Sequence, residues 1–278
     1  MTSAHPPIES ISAFFPCYND EATITSMVNL AVSTIERVGA EGEVIVVNDG
    51  SIDGSAAVLR ELSERQPWLR VITHDHNRGY GGALISGFAA ASRQWVFYTD
   101  GDAQFDPSEL ELLAEHATAD VDVVQGYKIS RADNVARRVI GRVYHRFVSF
   151  VFGLRIRDTD CDFRLIRRST MEKVRLEHDT GVICVEMVRK LQDAGARFVE
   201  VPIHHYPRLY GRSKFFRLGS VVRSLRDLVA LWVQLVVLRR GRIPVTSREH
   251  DDRGTERQIP VGQAATLRRG QGSEDAVQ

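Results

Sequence analysis

Short runs of β-branched and aromatic residues recur through the first half of the chain. Each is followed by a stretch with helical spacing, and this alternation restricts the fold more than any other feature. Glu43-Val-Ile-Val-Val47 is long enough for a buried strand and too short for a helix. Ile11 to Pro16, Leu69 to Thr73, Trp95 to Thr99 and Val121 to Gly126 read the same way. Between them, Glu21 to Val38 places Ile24, Met27, Val28, Ala31 and Ile35 on one helical face, with Asn19 or Asp20 as the expected N-cap. Ser55 to Gln66 and Gly81 to Ala91 are predicted helices, the second small and apolar enough to lie close on a sheet. Asp106 to Ala117 is another, with Pro107 at its first position and acids early, where the helix dipole favours them. This order predicts an α/β fold: a mostly parallel sheet with helices on both faces. Ligands then bind beyond the carboxyl ends of the strands.

The second half is less regular. Asn134 to Phe152 has helical spacing, Asp158 to Arg168 is a polar loop leading into a short strand, Val185 to Ala194 is helical, and Phe198 to Ile203 is a strand. Tyr206 to Phe215 reads as a loop. Arg217 to Leu238 is a long amphipathic helix, with Leu218, Val221, Val222, Leu225, Leu228, Val229 and Trp232 in its apolar stripe. After Arg239 the composition turns to Arg, Glu, Asp, Gly, Gln and Ser, which cannot bury enough surface to fold. The expected organisation is a catalytic domain over 1–216, an amphipathic helix over 217–242 and a disordered tail over 243–278.

Net charge is zero, but its distribution is uneven. Lys128 to Arg146 holds six Lys/Arg against Asp133, and Arg208 to Arg242 holds nine against Asp227. Such blocks fit a local anionic partner, or equally a set of solvated helix faces. Cys17, Cys161 and Cys184 are too few and too irregular for a disulfide framework, which points to a reducing compartment. No signal peptide and no membrane-spanning run of ~20 apolar residues is read. His74, His76, His204 and His205 match no metal spacing, so surface or packing roles are expected.

Three segments carry chemistry. Tyr98-Thr-Asp-Gly-Asp-Ala-Gln-Phe-Asp-Pro107 follows an apolar strand, so Asp100 and Asp102 can converge on one hard cation, Mg²⁺ or Mn²⁺, with Gln104 as a further oxygen. A cation there can bridge the phosphates of a nucleotide. An ordinary acidic turn offers the same residues. Val44-Ile-Val-Val-Asn-Asp-Gly-Ser-Ile-Asp-Gly-Ser55 brings Asp49 to a strand mouth, where it can accept hydrogen bonds from a base or ribose; Asp53 and Ser51 also suit helix capping. Asn77-Arg-Gly-Tyr-Gly-Gly-Ala83 lacks the third glycine of a dinucleotide fingerprint and serves either ligand approach or a tight turn.

Taken with Phe14-Phe-Pro-Cys-Tyr-Asn-Asp20, these segments resemble the family 2 glycosyltransferases over about half the chain. The resemblance implies a GT-A, Rossmann-like fold. It implies that Asp49 reads the nucleoside, that Pro16 and Tyr18 lie in the nucleotide-contacting first loop, and that Asp20 stands where the family usually has Glu. Asp100 and Asp102 then correspond to the metal-binding pair. Arg157-Asp-Thr-Asp-Cys-Asp-Phe-Arg-Leu-Ile-Arg-Arg168 and Pro207-Arg-Leu-Tyr-Gly-Arg-Ser-Lys214 resemble motifs of the polyprenyl-phosphate group that includes dolichol-phosphate mannose synthase. That likeness implies Gln104 as third metal ligand and Arg208, Ser213 and Lys214 on the donor diphosphate or acceptor phosphate. Lys128, Arg131 and Arg138 fall where phosphate-binding bases lie. The acceptor-side acid is Asp162, with Asp160 the alternative.

The implied activity is transfer of a hexose, mannose or glucose, from a GDP- or UDP-sugar to a lipid phosphate, with Asp102 and Asp162 as catalytic residues. A family member acting on a sugar hydroxyl, or a non-catalytic nucleotide-binding or membrane scaffold, are the alternatives. No nucleic-acid partner is expected. The apolar helix end followed by Arg239, Arg240 and Arg242 suits a peripheral position at the cytoplasmic face of a membrane, or packing on the chain's own core.

Overall fold

The computed structural model describes residues 8–131, 135–208, 210 and 218–238. The side chains of 130–131, 135–140, 142 and 218–221 are not described. The predicted tail and the Ser213 and Lys214 positions lie outside the described residues, as do the side chains of Arg131 and Arg138.

The elements in chain order are β1 (Ser10–Cys17), α1 (Ile24–Val38), β2 (Glu41–Asn48), α2 (Ser55–Arg65), β3 (Leu69–Thr73), α3 (Tyr80–Ala90), β4 (Trp95–Thr99), α4 (Leu110–Ala114), β5 (Val123–Arg131), α5 (Val135–Phe152), β6 (Phe163–Arg167), α6 (Arg168–Met171), α7 (Ile183–Asp193), β7 (Phe198–His205) and α8 (Leu218–Trp232). The strands form one seven-stranded sheet in the order β3-β2-β1-β4-β6-β5-β7. β1, β2, β3 and β4 run parallel. β6 runs antiparallel to both β4 and β5, and β5 pairs parallel with β7. The predicted mostly parallel sheet is thus present, interrupted by one antiparallel strand.

Every residue of β4 and nearly all of β1 are buried, because helices cover both faces. On one face Phe14, Phe88 and Tyr98 pack ring on ring with centroids 4.9 and 5.4 Å apart. Gly87 admits this cluster: a Cβ there would lie 2.3 Å from the Phe14 ring. On the other face Phe97 and Phe163 meet edge to face at 4.8 Å. α8 and the turn after it extend the core sideways, since Leu228, Leu231 and Leu235 bury against Val148 and Phe152 of α5 and Val185 and Val188 of α7.

Some boundaries differ from the sequence reading. The helix predicted from Glu21 starts at Ile24, and its N-cap is Thr23 rather than Asn19 or Asp20, because those residues form the preceding turn: Asn19 has φ 61° and its side chain accepts the Ile52 N–H. The helix predicted over Asp106 to Ala117 is a short 3₁₀ turn, Pro107–Glu109, running into α4. Asp106 caps that turn by accepting the Ser108 N–H at 2.9 Å. β5 continues past Gly126 because it keeps pairing with β7 across an irregularity at Lys128.

Candidate active site

The carboxyl ends of β1, β2 and β4 open on the same edge of the sheet, and the antiparallel β6 begins there. Thr99, the last residue of β4, pairs with Phe163, the first of β6. Asp100 follows one and Asp162 precedes the other, so strand pairing sets the two acids side by side. This juxtaposition needs the antiparallel strand and has no counterpart in the linear spacing.

Asp100 accepts the Tyr80 hydroxyl at 2.8 Å. Burial, then the neighbouring charges of Asp162 and Asp102, push its carboxyl well above the usual range. The turn after it is held by its own chain. The Thr23 hydroxyl donates to the Gly101 carbonyl at 2.7 Å, and the Gln104 N–H donates to Asp102 Oδ1 at 3.0 Å. Ala103 adopts a left-handed φ of 59°, a costly conformation for a residue with a Cβ. The second oxygen of Asp102 pairs with the Arg208 guanidinium. Asp20 faces the same space, accepting the Tyr18 N–H at 2.9 Å. Burial, and then Asp102, raise Asp20 to about 6. An open cleft of about 500 Å³ lies here, lined by Asn19, Asp20, Thr23, Asp53, Asp102 and Tyr210 among others. Pro16, next to last in β1, pairs with Val47, which places the first loop beside the mouth of β2.

Asp49 is buried at that mouth with its oxygens turned toward its own chain. It accepts from the Arg78 N–H at 2.8 Å and the Gly79 N–H at 3.1 Å, and lies 2.7 Å from His74 Nδ1. Asp53 accepts the Ser55 and Glu21 N–H groups, so it caps α2 and ties it to the loop before α1. The Gln104 amide donates to the Tyr206 carbonyl at 3.3 Å, and Arg208 Nε donates to its oxygen at 3.4 Å. Gln104 therefore links the acidic turn to the end of β7.

Asp162 accepts from the Cys184 thiol at 3.1 Å and the Tyr98 hydroxyl at 3.4 Å, and lies 3.5 Å from the Arg164 guanidinium. Arg164 is fully buried and donates to Gln125, Tyr98 and the Thr159 carbonyl. A buried guanidinium satisfied on every side makes a fixed counter-charge behind the acid. Lys128 donates to the Asp160 carbonyl at 2.6 Å. Burial alone would lower Lys128, but Asp158, Asp160 and Asp162 hold it above the usual lysine value. Asp160 is exposed, whereas Asp162 sits against Asp100.

Sequence reasoning assigned no role to Tyr80, Arg164, Cys184 or Thr23. Arg164 carried one signal: a charged residue in the middle of the apolar run Phe163 to Ile166. The others are ordinary core or cap residues in sequence.

The acidic turn fits a hard divalent cation. Two carboxylates from one turn are the donor set that Mg²⁺ or Mn²⁺ takes when phosphates of a ligand and water complete its shell. Asp100 is half-buried beside two other acids, a repulsion that a cation relieves. Among the described residues no group of three or more His, Cys, Asp or Glu is arranged to hold a metal ion.

The nucleotide-scale cleft, the acidic turn at a strand mouth and this sheet define a GT-A glycosyltransferase. The chain belongs to glycosyl transferase family 2, whose model matches residues 12–175, from β1 to the loop after α6. It is 29% identical over 224 residues to the undecaprenyl-phosphate 4-deoxy-4-formamido-L-arabinose transferase of Edwardsiella ictaluri, covering 80% of this chain and 67% of that protein. Among solved structures it resembles glucosyl-3-phosphoglycerate synthase from Mycobacterium tuberculosis. In complex with Mg²⁺ and uridine-diphosphate, that protein superposes with TM-score 0.59 at 17% identity, over 81% of this chain and 78% of that one. Its complex with Mn²⁺, uridine-diphosphate and phosphoglyceric acid gives 0.57 at 17% identity, again over 81% and 78%. At that identity the likeness establishes the fold.

Proposed function

We propose that this enzyme is an inverting transferase that moves a hexose, mannose or glucose, from a GDP- or UDP-sugar to a polyprenyl phosphate, working peripherally at the cytoplasmic face of a membrane. The observation that carries the reading is the convergence of Asp100, Asp102 and Asp162 at one strand mouth. The undecaprenyl-phosphate relative supports the acceptor class.

Asp100 and Asp102 would hold Mg²⁺ or Mn²⁺, which when bound neutralises the donor diphosphate as it departs. Pro16, Tyr18 and Asp20 line the nucleotide side. Asp49 contributes by shaping the loop at 77–79 around the nucleoside. An oxygen of the acceptor phosphate attacks the anomeric carbon opposite the diphosphate. The new C–O bond forms as the old one breaks, and its electron pair leaves on the nucleoside diphosphate. A phosphate is ionised at neutral pH, so no proton has to be removed. Asp162, fixed by Arg164, Cys184 and Tyr98, orients the acceptor. Lys128, Arg131, Arg138, Arg208 and Lys214 supply the positive charge that brings two anionic groups together, and Ser213 offers its hydroxyl to the same phosphates.

The outer surface of two helices supports a membrane position. Val222, Leu225, Val229 and Val237 are exposed along α8 and the turn after it, and Val143, Phe147 and Phe150 are exposed on α5. Arg223 and Arg226 stand exposed beside them. That pattern suits a surface lying at the headgroups. Among the described residues no helix is long and apolar enough to cross a membrane. Residues 1–216 form the catalytic unit in this reading, with 217–242 as its membrane-facing helix and 243–278 as a tail.

Asp102→Ala tests the chemistry: transfer of radiolabelled sugar to polyprenyl phosphate is lost while circular dichroism stays native. Normal turnover in that variant rules out the mechanism. Transfer to a glycan hydroxyl instead of the lipid phosphate would make Asp162 a general base. Flotation with anionic vesicles tests the surface, since Phe147→Glu with Val229→Glu should release the protein.

A further inference from the structure

We propose that Tyr80 is a positioning residue that orients the Asp100 carboxylate and so sets how tightly the acidic turn holds a divalent cation. This rests on the reading that Asp100 and Asp102 hold that cation. Tyr80 opens α3, twenty residues before the acid it reaches, and its hydroxyl donates to Asp100 Oδ1 at 2.8 Å. Among the described residues it is the one hydrogen-bond donor to that carboxylate. A ligand carboxylate free to turn loses affinity for its cation, and the outer hydrogen bond that stops the turning is part of the site.

The hydroxyl comes from a backbone with no room to shift. Gly79, at φ +85°, donates its N–H to Asp49 at 3.1 Å, and the Gly81 N–H donates to the Asp179 carbonyl at 2.9 Å. A Cβ on Gly79 would lie 2.4 Å from the Asp179 oxygen, and one on Gly81 would lie 2.1 Å from the His178 oxygen. The main chain on both sides of Tyr80 is thus pressed between the end of β2 and the segment at 178–179. That segment is held in turn, because Glu186 accepts the Glu177 and His178 N–H groups at 3.0 and 3.1 Å. The ring packs against the core that contains Phe14 and Tyr98, so a phenylalanine keeps the packing and deletes the O–H alone.

Mn²⁺ binding to wild type, Tyr80→Phe and Asp100→Asn, followed by electron paramagnetic resonance in parallel arms with UDP and with GDP, tests the proposal. Tyr80→Phe should weaken Mn²⁺ binding about 5- to 10-fold, the worth of about one net hydrogen bond. The metal concentration for half-maximal turnover should rise by the same factor, and kcat should return to within about twofold of wild type at saturating Mn²⁺. Asp100→Asn should lose Mn²⁺ binding. Wild-type affinity in Tyr80→Phe, with Asp100→Asn defective, overturns the role of Tyr80 and leaves the metal reading standing. A lowered melting temperature with unchanged Mn²⁺ affinity marks a packing role and overturns it equally. Unchanged affinity in Asp100→Asn overturns the metal reading itself.

Discussion

The Asp49 carboxylate and the His74 imidazole meet at 2.7 Å with both side chains buried. The other ring nitrogen of His74 lies 2.9 Å from the Ser86 hydroxyl, and Asp49 also accepts two backbone N–H groups from the 78–79 turn. One acid at the end of β2 therefore joins the exit of β3, the loop before α3 and α3 itself. Asp49→Asn places an NH₂ group against one of these donors and leaves it unsatisfied. We expect a loss of about 2–3 kcal/mol in urea denaturation, with weaker nucleotide binding as a consequence. Full stability combined with a changed donor KM would mean instead that Asp49 acts directly on the nucleoside.

Glu186 anchors the segment that presses on α3. Its side chain is inaccessible and sits among His178 and Lys190, with Lys190 Nζ at 2.6 Å. Burial alone would raise its pKa, but the bonds from His178 and Lys190 hold it below the usual carboxylate value. The same bond to Glu186 raises His178 above 6.5, against the opposing effect of burial. The depressed acid contributes stability above its unfolded pKa and loses it as pH falls through the folded value. The raised histidine contributes fully below 6.5 and loses its contribution as pH rises through its folded pKa. Glu186→Gln should cost about 2–3 kcal/mol near pH 6, since it removes the nearer carboxylate from the buried Lys190 and leaves it with Glu177 at 3.3 Å. It should also flatten the decline of stability on the alkaline side, measured by urea titrations at a series of pH values.

Asp20 behaves in the opposite sense. Burial and the nearby Asp102 lift it from 3.8 to about 6, so its charged form is disfavoured by the fold. The stability tied to its neutral form is complete below 3.8 and disappears as pH rises through about 6. Asp20→Asn should stabilise the metal-free protein by about 1–2 kcal/mol at pH 8, a value discounted for solvent in the cleft. The gain should vanish below pH 4 in thermal melts at the two pH values. An equal gain at both would mean that the effect is not electrostatic.

The strands and most of the helices are legible from residue order because their signals are local. A β-branched run such as Glu43 to Val47 and the spacing of Ile24, Met27, Val28 and Ala31 each report on neighbours a few residues away. The acidic turn was legible for the same reason: Asp100 and Asp102 stand two apart, directly after an apolar run. The cap of α1 was not, because Asn19 gives its side chain to Ile52, thirty-three residues on.

What residue order establishes here is a parallel α/β scaffold with acids at the mouth of its fourth strand. It cannot specify that Phe163 pairs antiparallel with Thr99, and so it cannot bring Asp162 to Asp100. It also leaves Arg164 and Tyr80 without roles and gives His74 a surface or packing role, since each acts on an acid from another segment. Hydrogen-bond periodicity is written along the chain, whereas strand pairing and the burial of a charge depend on which distant surfaces the sheet brings together.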